Sequence, residues 1–213
     1  MLCYITDRHQ LPGSESEQGR RLLEKIAEAA QAGVDYVQIR EKDSSARELE
    51  TLAREAVRIV RNFPFDPARE HRKTIVLINS RTDIALACDA GGVQLRANDM
   101  VASEVRHICA SGKEGRRLTI GVSCHSLEEV RKAQQQGADF ALFAPVFEKG
   151  NAKPAGLENL HRACEYAIPV FALGGVTLEN SASCFEAGAA GVAGIRLFQE
   201  NTIADVVREL RQP

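Results

Sequence analysis

Short apolar runs alternate with longer amphipathic stretches from one end of the chain to the other. Leu2 to Thr6 reads as a first strand. A Pro- and Gly-containing turn over Gln10 to Ser16 leads to a helix from about Gly19 to Ala32, and Gly33 closes it. Val34 to Arg40 is a second strand, rich in residues that favour a pleated backbone. Ser44 or Ser45 caps a helix to about Arg61, whose apolar face holds Leu49, Leu52, Ala53, Ala56, Ile59 and Val60. The same alternation continues. Strands are expected at Thr74 to Ile78, Val93 to Leu95, Leu118 to Ser123, Asp139 to Phe143, Ile168 to Leu173 and Gly191 to Ile195. Helices are expected through Cys88, over Val101 to Ala110, from the capping-box pattern at Ser126 and Glu129 to Gly137, and over Leu157 to Tyr166, Leu178 to Ala187 and Ile203 to Arg211.

Eight strands, each followed by a helix, predict an α/β fold: a single closed (β/α)8 TIM barrel over residues 1–213. An open doubly wound sheet is the alternative. The strands are apolar on both faces, as a sheet covered by helices requires.

Composition adds exclusions. A hydrophobic fraction of 44% with 26% charged residues suits a soluble globular chain with a large core. A net charge of −2 gives no reason to expect nucleic acid or an acidic membrane surface as partner. No stretch approaches the ~20 apolar residues of a membrane span, and the first residues do not read as a signal peptide. The six cysteines, at 3, 88, 109, 124, 164 and 184, form no C-x-x-C pair. They suit buried, reduced thiols in a cytoplasmic protein. Cys124 lies beside polar residues but is expected to be structural. The oligomeric state is left open, a homo-oligomer included.

In a barrel the loops after the strands build the site. The polar residues there include Gln38, Arg40 and Lys42, spaced by two, which would point to one side if the second strand ran on to Lys42. An amide, a planar cation fork and a flexible cation suit a polyanionic ligand. Lys153 could join Arg40 and Lys42 in an anionic subsite. Asn79, Ser80 and Arg81, Gln94, Arg96 and Asp99, and Ser123 and His125 follow other strands. Asp99 is either a Mg2+ ligand or a helix N-cap, and His125 either a proton shuttle or a solvent-facing residue. Gly174-Gly175, with Gly194-Ile195 after the last strand, fits the phosphate cup common between strands seven and eight. Turns that merely need positive φ are the alternative.

These segments, in this order, resemble the thiamine phosphate synthase/TenI superfamily. They are Tyr4-Ile5-Thr6-Asp7-Arg8, Val37 to Asp43, Leu77 to Arg81, Gly92 to Leu95 with Asp99, Gly121 to Ser126, Ala138 to Phe140 with Pro145-Val146-Phe147, and Pro169 to Val176. The resemblance implies an enzyme that joins hydroxymethylpyrimidine pyrophosphate to thiazole phosphate and releases pyrophosphate. It implies that Gln38, Arg40 and Lys42 bind the pyrimidine-pyrophosphate side and that Asn79 contacts the pyrimidine or its phosphates. Asp99 would hold Mg2+, Ser123 would donate to the pyrophosphate and Lys153 would neutralise it. Gly175 and the backbone near Gly194 and Ile195 would hold the thiazole phosphate.

Four segments depart from the synthase pattern. Ser80 stands where a metal-binding Asp is usual, and Arg96 where a small loop residue is usual. Lys149, Gly150 and Asn151 replace loop threonines, with Lys153 about one residue late, and Arg196 replaces a small residue. Arg96 or Lys149 could supply charge that Ser80 cannot. The Ser123-Cys124-His125-Ser126-Leu127-Glu128-Glu129 segment resembles the TenI branch, which implies a thiazole tautomerase with His125 moving a proton. A non-catalytic relative that binds a phosphorylated thiazole or thiamine ligand is the third reading.

Overall fold

A computed structural model describes residues 1–63, 73–111, 117–148 and 153–211. Eight strands appear in it: β1 (Leu2–Ile5), β2 (Tyr36–Ile39), β3 (Ile75–Asn79), β4 (Gly92–Leu95), β5 (Thr119–Cys124), β6 (Phe140–Phe143), β7 (Val170–Ala172) and β8 (Gly191–Gly194). Helices follow them: α1 (Glu15–Ala32), α2 (Ala46–Arg61), α3 (Thr82–Ala87), α4 (Ala102–Ser111), α5 (Leu127–Gln135), α6 (Gly156–Cys164), α7 (Leu178–Glu186), α8 (Arg196–Gln199) and α9 (Ile203–Leu210). The strand order runs β1 to β8 in sequence and closes on itself, so the fold is the (β/α)8 barrel that the alternation predicts.

The chain divides into two compact units. The first holds Leu2–Gly91 and Gly194–Pro213. In it β1, β2 and β3 pair in parallel, with Tyr4 opposite Val37 and Gln38 opposite Leu77. Tyr4, Leu22, Ile26, Ile39, Leu77, Ile78 and Phe198 are fully buried. Helix α1 starts at Glu15, about a turn before the expected Gly19. The reason is local. Gly13 takes a positive φ of 107° and Ser14 then forms a capping box with Glu17. Helix α2 is capped by Ser45 with Glu48 in the same way, and buries Leu49, Ala53, Ala56, Val57 and Val60. The short helix α8 and a 3-10 turn at Arg8–Gln10 were not expected from periodicity, since neither is long enough to show one.

The second unit holds Gly92–Ala193 with Met1. Strands β4 to β8 pair in parallel, with Gln94 opposite Gly121 and Gly121 opposite Phe140. Phe140 stacks on Phe171 with ring centroids 4.9 Å apart. The capping box expected at α5 is only half present. Ser126 Oγ accepts from Glu129 N at 3.2 Å, but the Glu129 carboxylate accepts from His125 N at 2.5 Å, not from the Ser126 N–H.

All six cysteines are free, and five are buried. Burial, with Glu129 nearby, pushes the Cys124 thiol up to about 12, so it is an inert core group as expected. Among the described residues no helix is long and apolar enough to cross a membrane.

Candidate active site

In the first unit, β2 ends at Ile39 and residues 42 and 43 lie in a turn. The expectation that Gln38, Arg40 and Lys42 share one strand face is therefore incorrect. Gln38 is buried, Arg40 is half-buried and Lys42 is exposed. The residue that turns inward is Glu41, between the two cations, and it bends the chain. Its carboxylate accepts from Thr6 Oγ1 at 2.6 Å, from Arg8 N at 3.0 Å and from Arg8 Nη1 at 3.2 Å. Thr6 Oγ1 in turn accepts from Arg40 N at 2.9 Å. Arg8 also bonds Asp43, and His9 Nε2 lies 3.0 Å from the same carboxylate. Both flanks of Arg40 and Lys42 are thus tied to the end of β1. The neighbouring cations Arg8 and Arg81 are spent on Asp43 and Asp83.

Replacing Glu41 with Gln keeps the shape and removes the charge that compensates Arg8. Losing a hydrogen bond between charged groups at a nearly buried site is expected to cost about 2 kcal/mol of stability. Urea unfolding checks this. An unchanged midpoint would show that the network carries nothing.

Gln38 Nε2 donates to Asn79 Oδ1 at 2.9 Å, and Asn79 Nδ2 donates to Ser80 Oγ at 3.1 Å. Gln38 Oε1 is buried without a partner among the described residues, an acceptor left open beside Asn79. Ser80 sits at a φ of 60°, a left-handed conformation that costs an L side chain about 1 kcal/mol. Gly194 ends β8, and Ile195 after it is the N-cap of α8.

In the second unit, Gln94 Nε2 donates to Ser123 Oγ at 3.1 Å. The serine hydroxyl therefore keeps its own proton to donate. His125 is exposed, and its Nδ1 lies 2.7 Å from Ala144 O. A carbonyl only accepts, so the neutral ring carries its proton on Nδ1 and presents Nε2 as a base. Lys153 is exposed. Gly174 and Gly175 have φ of 91° and 70°. A Cβ on Gly174 would meet Pro145 Cα at 2.7 Å, and one on Gly175 would meet Glu148 O at 2.9 Å. Both positions thus demand glycine for conformation and packing. Asn180 Nδ2 holds Gly175 O at 2.9 Å and locks the turn.

Asp99 does not stand open. Its carboxylate accepts from Arg96 N at 2.8 Å and from Arg96 Nη2 at 3.0 Å, and Arg96 Nε lies 3.2 Å away. Among the described residues no group of three or more His, Cys, Asp or Glu is placed to hold a metal ion. Mg2+ favours carboxylates together with phosphate oxygens and water. A single carboxylate already bound by a guanidinium does not fit a resident Mg2+.

The structure brings Gln38 to Asn79 and puts Ser123 beside Gln94. Glu41, Thr6, Gln94 and Asn180 are the supporting residues that sequence reasoning did not assign. Thr6 and Gln94 stand among the polar residues at strand ends, and Glu41 is a lone carboxylate between two cations; Asn180 carried no signal. Lys149, Gly150 and Asn151 lie outside the described residues.

Comparison with known proteins points one way. The family model described as "Thiamine monophosphate synthase" matches residues 2–198. Thiamine-phosphate synthase of Syntrophomonas wolfei is 37% identical over 217 residues, covering 99% of this chain and 94% of that protein. The Chlorobium luteolum thiamine-phosphate synthase is 34% identical over 200 residues, covering 92% and 83%. Among solved structures, thiamine phosphate pyrophosphorylase from Pyrococcus furiosus is similar with a TM-score of 0.79 and 30% identity, over 99% of this chain and 93% of that one.

Proposed function

Because the chain belongs to the thiamine monophosphate synthase family, we propose that it couples hydroxymethylpyrimidine pyrophosphate to thiazole phosphate, acting as one barrel domain over residues 1–213. The C–O bond between the pyrimidine methylene and the pyrophosphate breaks, and the leaving group takes the electron pair. The thiazole nitrogen donates its lone pair to the methylene, a C–N bond forms, and the products are thiamine phosphate and pyrophosphate.

The observation that carries this reading is a set of unspent charges. Among the described residues Arg40, Lys42 and Lys153 have no ion-pair partner, whereas Arg8, Arg81 and Arg96, also at strand ends, do. An unpaired, half-buried guanidinium is held for an anion that arrives. Arg40, Lys42 and Lys153 stabilise the charge that grows on the pyrophosphate. Ser123 donates its hydroxyl proton to a pyrophosphate oxygen. Gln38 offers its open acceptor to the amino group of the pyrimidine, and Asn79, oriented by Gln38, contacts the same end. Gly175 and the backbone at Gly194 and Ile195 receive the thiazole phosphate. Six free cysteines support a cytoplasmic setting. The partners are small phosphorylated molecules, with neither nucleic acid nor membrane.

A second reading rests on His125. Its Nδ1 anchor at Ala144 O leaves Nε2 as a proton acceptor, which is what a TenI-type thiazole tautomerase requires. Both readings meet one experiment. Purified protein is incubated with both substrates, and thiamine phosphate is followed by chromatography. The expected result is thiamine phosphate at comparable rates in the wild type and in His125→Ala. If no thiamine phosphate forms while the thiazole tautomer is consumed, and His125→Ala abolishes that consumption, the isomerase reading replaces the synthase.

A further inference from the structure

The segment Val37-Gln38-Ile39-Arg40 recurs as Val93-Gln94-Leu95-Arg96. The recurrence is structural as well. Each glutamine lies on a strand, β2 or β4, and donates its Nε2 to the following strand, two residues beyond its registered neighbour. Gln38 is opposite Leu77 and bonds Asn79, and Gln94 is opposite Gly121 and bonds Ser123. In both cases an arginine follows two residues after the glutamine, just past the strand end. Arg96 therefore stands to β4 as Arg40 stands to β2.

Arg96 differs from Arg40 in being aimed. Asp99 grips Nε and Nη2 and accepts from the Arg96 N–H. Nη1 is left without a partner among the described residues. The Asp99 side chain is 11% exposed and that of Arg96 is 67% exposed, so a fixed carboxylate holds a guanidinium that faces outward. An open cavity of about 240 Å³ is lined by Arg96, Asp99 and Ser123, with Lys132 also on its wall. Arg96 and the proposed pyrophosphate donor Ser123 thus share one cavity. The guanidinium fork matches phosphate oxygens, and its charge is permanent.

We propose that Arg96 is a second pyrophosphate-binding arginine, oriented by Asp99. Its open Nη1 side donates to a pyrophosphate oxygen in this cavity, Asp99 fixing its direction, and that contact needs no divalent cation. The proposal rests on the synthase reading for its meaning, but its test does not require turnover.

Inorganic pyrophosphate is titrated calorimetrically into the intact protein, in EDTA and in Mg2+. The wild type is expected to bind in EDTA, and Arg96→Ala to weaken that binding by about tenfold or more, as loss of a charge-assisted hydrogen bond predicts. Arg96 is exposed, so an unchanged melting temperature is expected for the variant. No binding by the wild type in EDTA, or equal binding by Arg96→Ala, overturns the proposal. Thiamine phosphate formation is assayed on the same samples. Turnover that stops in EDTA would sink the role of Arg96 and leave the synthase standing. Arg96-dependent pyrophosphate binding without any thiamine phosphate would uphold the anion site and sink the synthase reading.

Discussion

Arg40→Ala is expected to lower kcat/KM for thiamine phosphate formation about a thousandfold, at the upper end for losing one donor to a developing charge. The backbone of Arg40 is pinned by Thr6, whose hydroxyl accepts from Arg40 N and donates to Glu41. Its guanidinium has no partner among the described residues, so removing it leaves no buried charge stranded and should not disturb the fold. The loss should fall on kcat as well as KM, because charge on the pyrophosphate is greatest after the C–O bond has begun to break. Arg40→Lys should recover part of the activity, since an ammonium supplies the charge without the bidentate fork. Steady-state kinetics with both substrates settles this. A drop of less than about tenfold would remove Arg40 from the leaving-group site.

Gly121→Ala is expected to destabilise the protein by about 3 kcal/mol, the upper range for overpacking a closed core. Gly121 lies on β5 between Gln94 and Phe140 in register. A Cβ there would sit 2.1 Å from Gln94 Oε1 and 2.4 Å from Phe140 Cζ. Neither neighbour can yield cheaply. Gln94 is buried and tied to Ser123, and Phe140 is stacked on Phe171. The backbone conformation itself is not left-handed, so the whole effect is steric. Urea unfolding should show a lower midpoint at constant slope. The Gln94–Ser123 bond is also displaced, so whatever folds should bind pyrophosphate more weakly. An unaltered unfolding midpoint would mean that the barrel interior relaxes more freely than this packing allows.

Helix-strand alternation was legible because short runs buried on both faces alternate with longer stretches that bury one face at the helical period. Strand positions came within a residue or two, and α2 within its cap, since Ser45 and Glu48 lie in sequence where they lie in space. Elements of about a single turn, such as the four-residue α8, leave no such trace. The start of α1 depended on the capping box of Ser14 with Glu17, which the more prominent glycines of the turn hid.

The candidate site was readable as a set of residue types and not as an arrangement. Gln38, Arg40, Lys42, Asn79, Asp99, Ser123, His125, Lys153, Gly175, Gly194 and Ile195 all follow or end strands, and a parallel (β/α)8 order makes strand ends the place to look. What each side chain does depends on which groups it meets, and those groups are far away in the chain. Glu41 meets Thr6 and Arg8, so the turn after β2 folds back and Lys42 leaves the strand face. Asp99, in contrast, meets Arg96 three residues before it, and its carboxylate holds that guanidinium in place.

The sequence by itself determined the barrel, the family and the residue types at the strand ends, because period, order and local motif are written along one dimension. The tertiary structure alone decided which cations are spent and which are free. A charge is neutralised by whatever lies within a few ångströms of it, and that distance is set by the fold and not by the spacing in the chain.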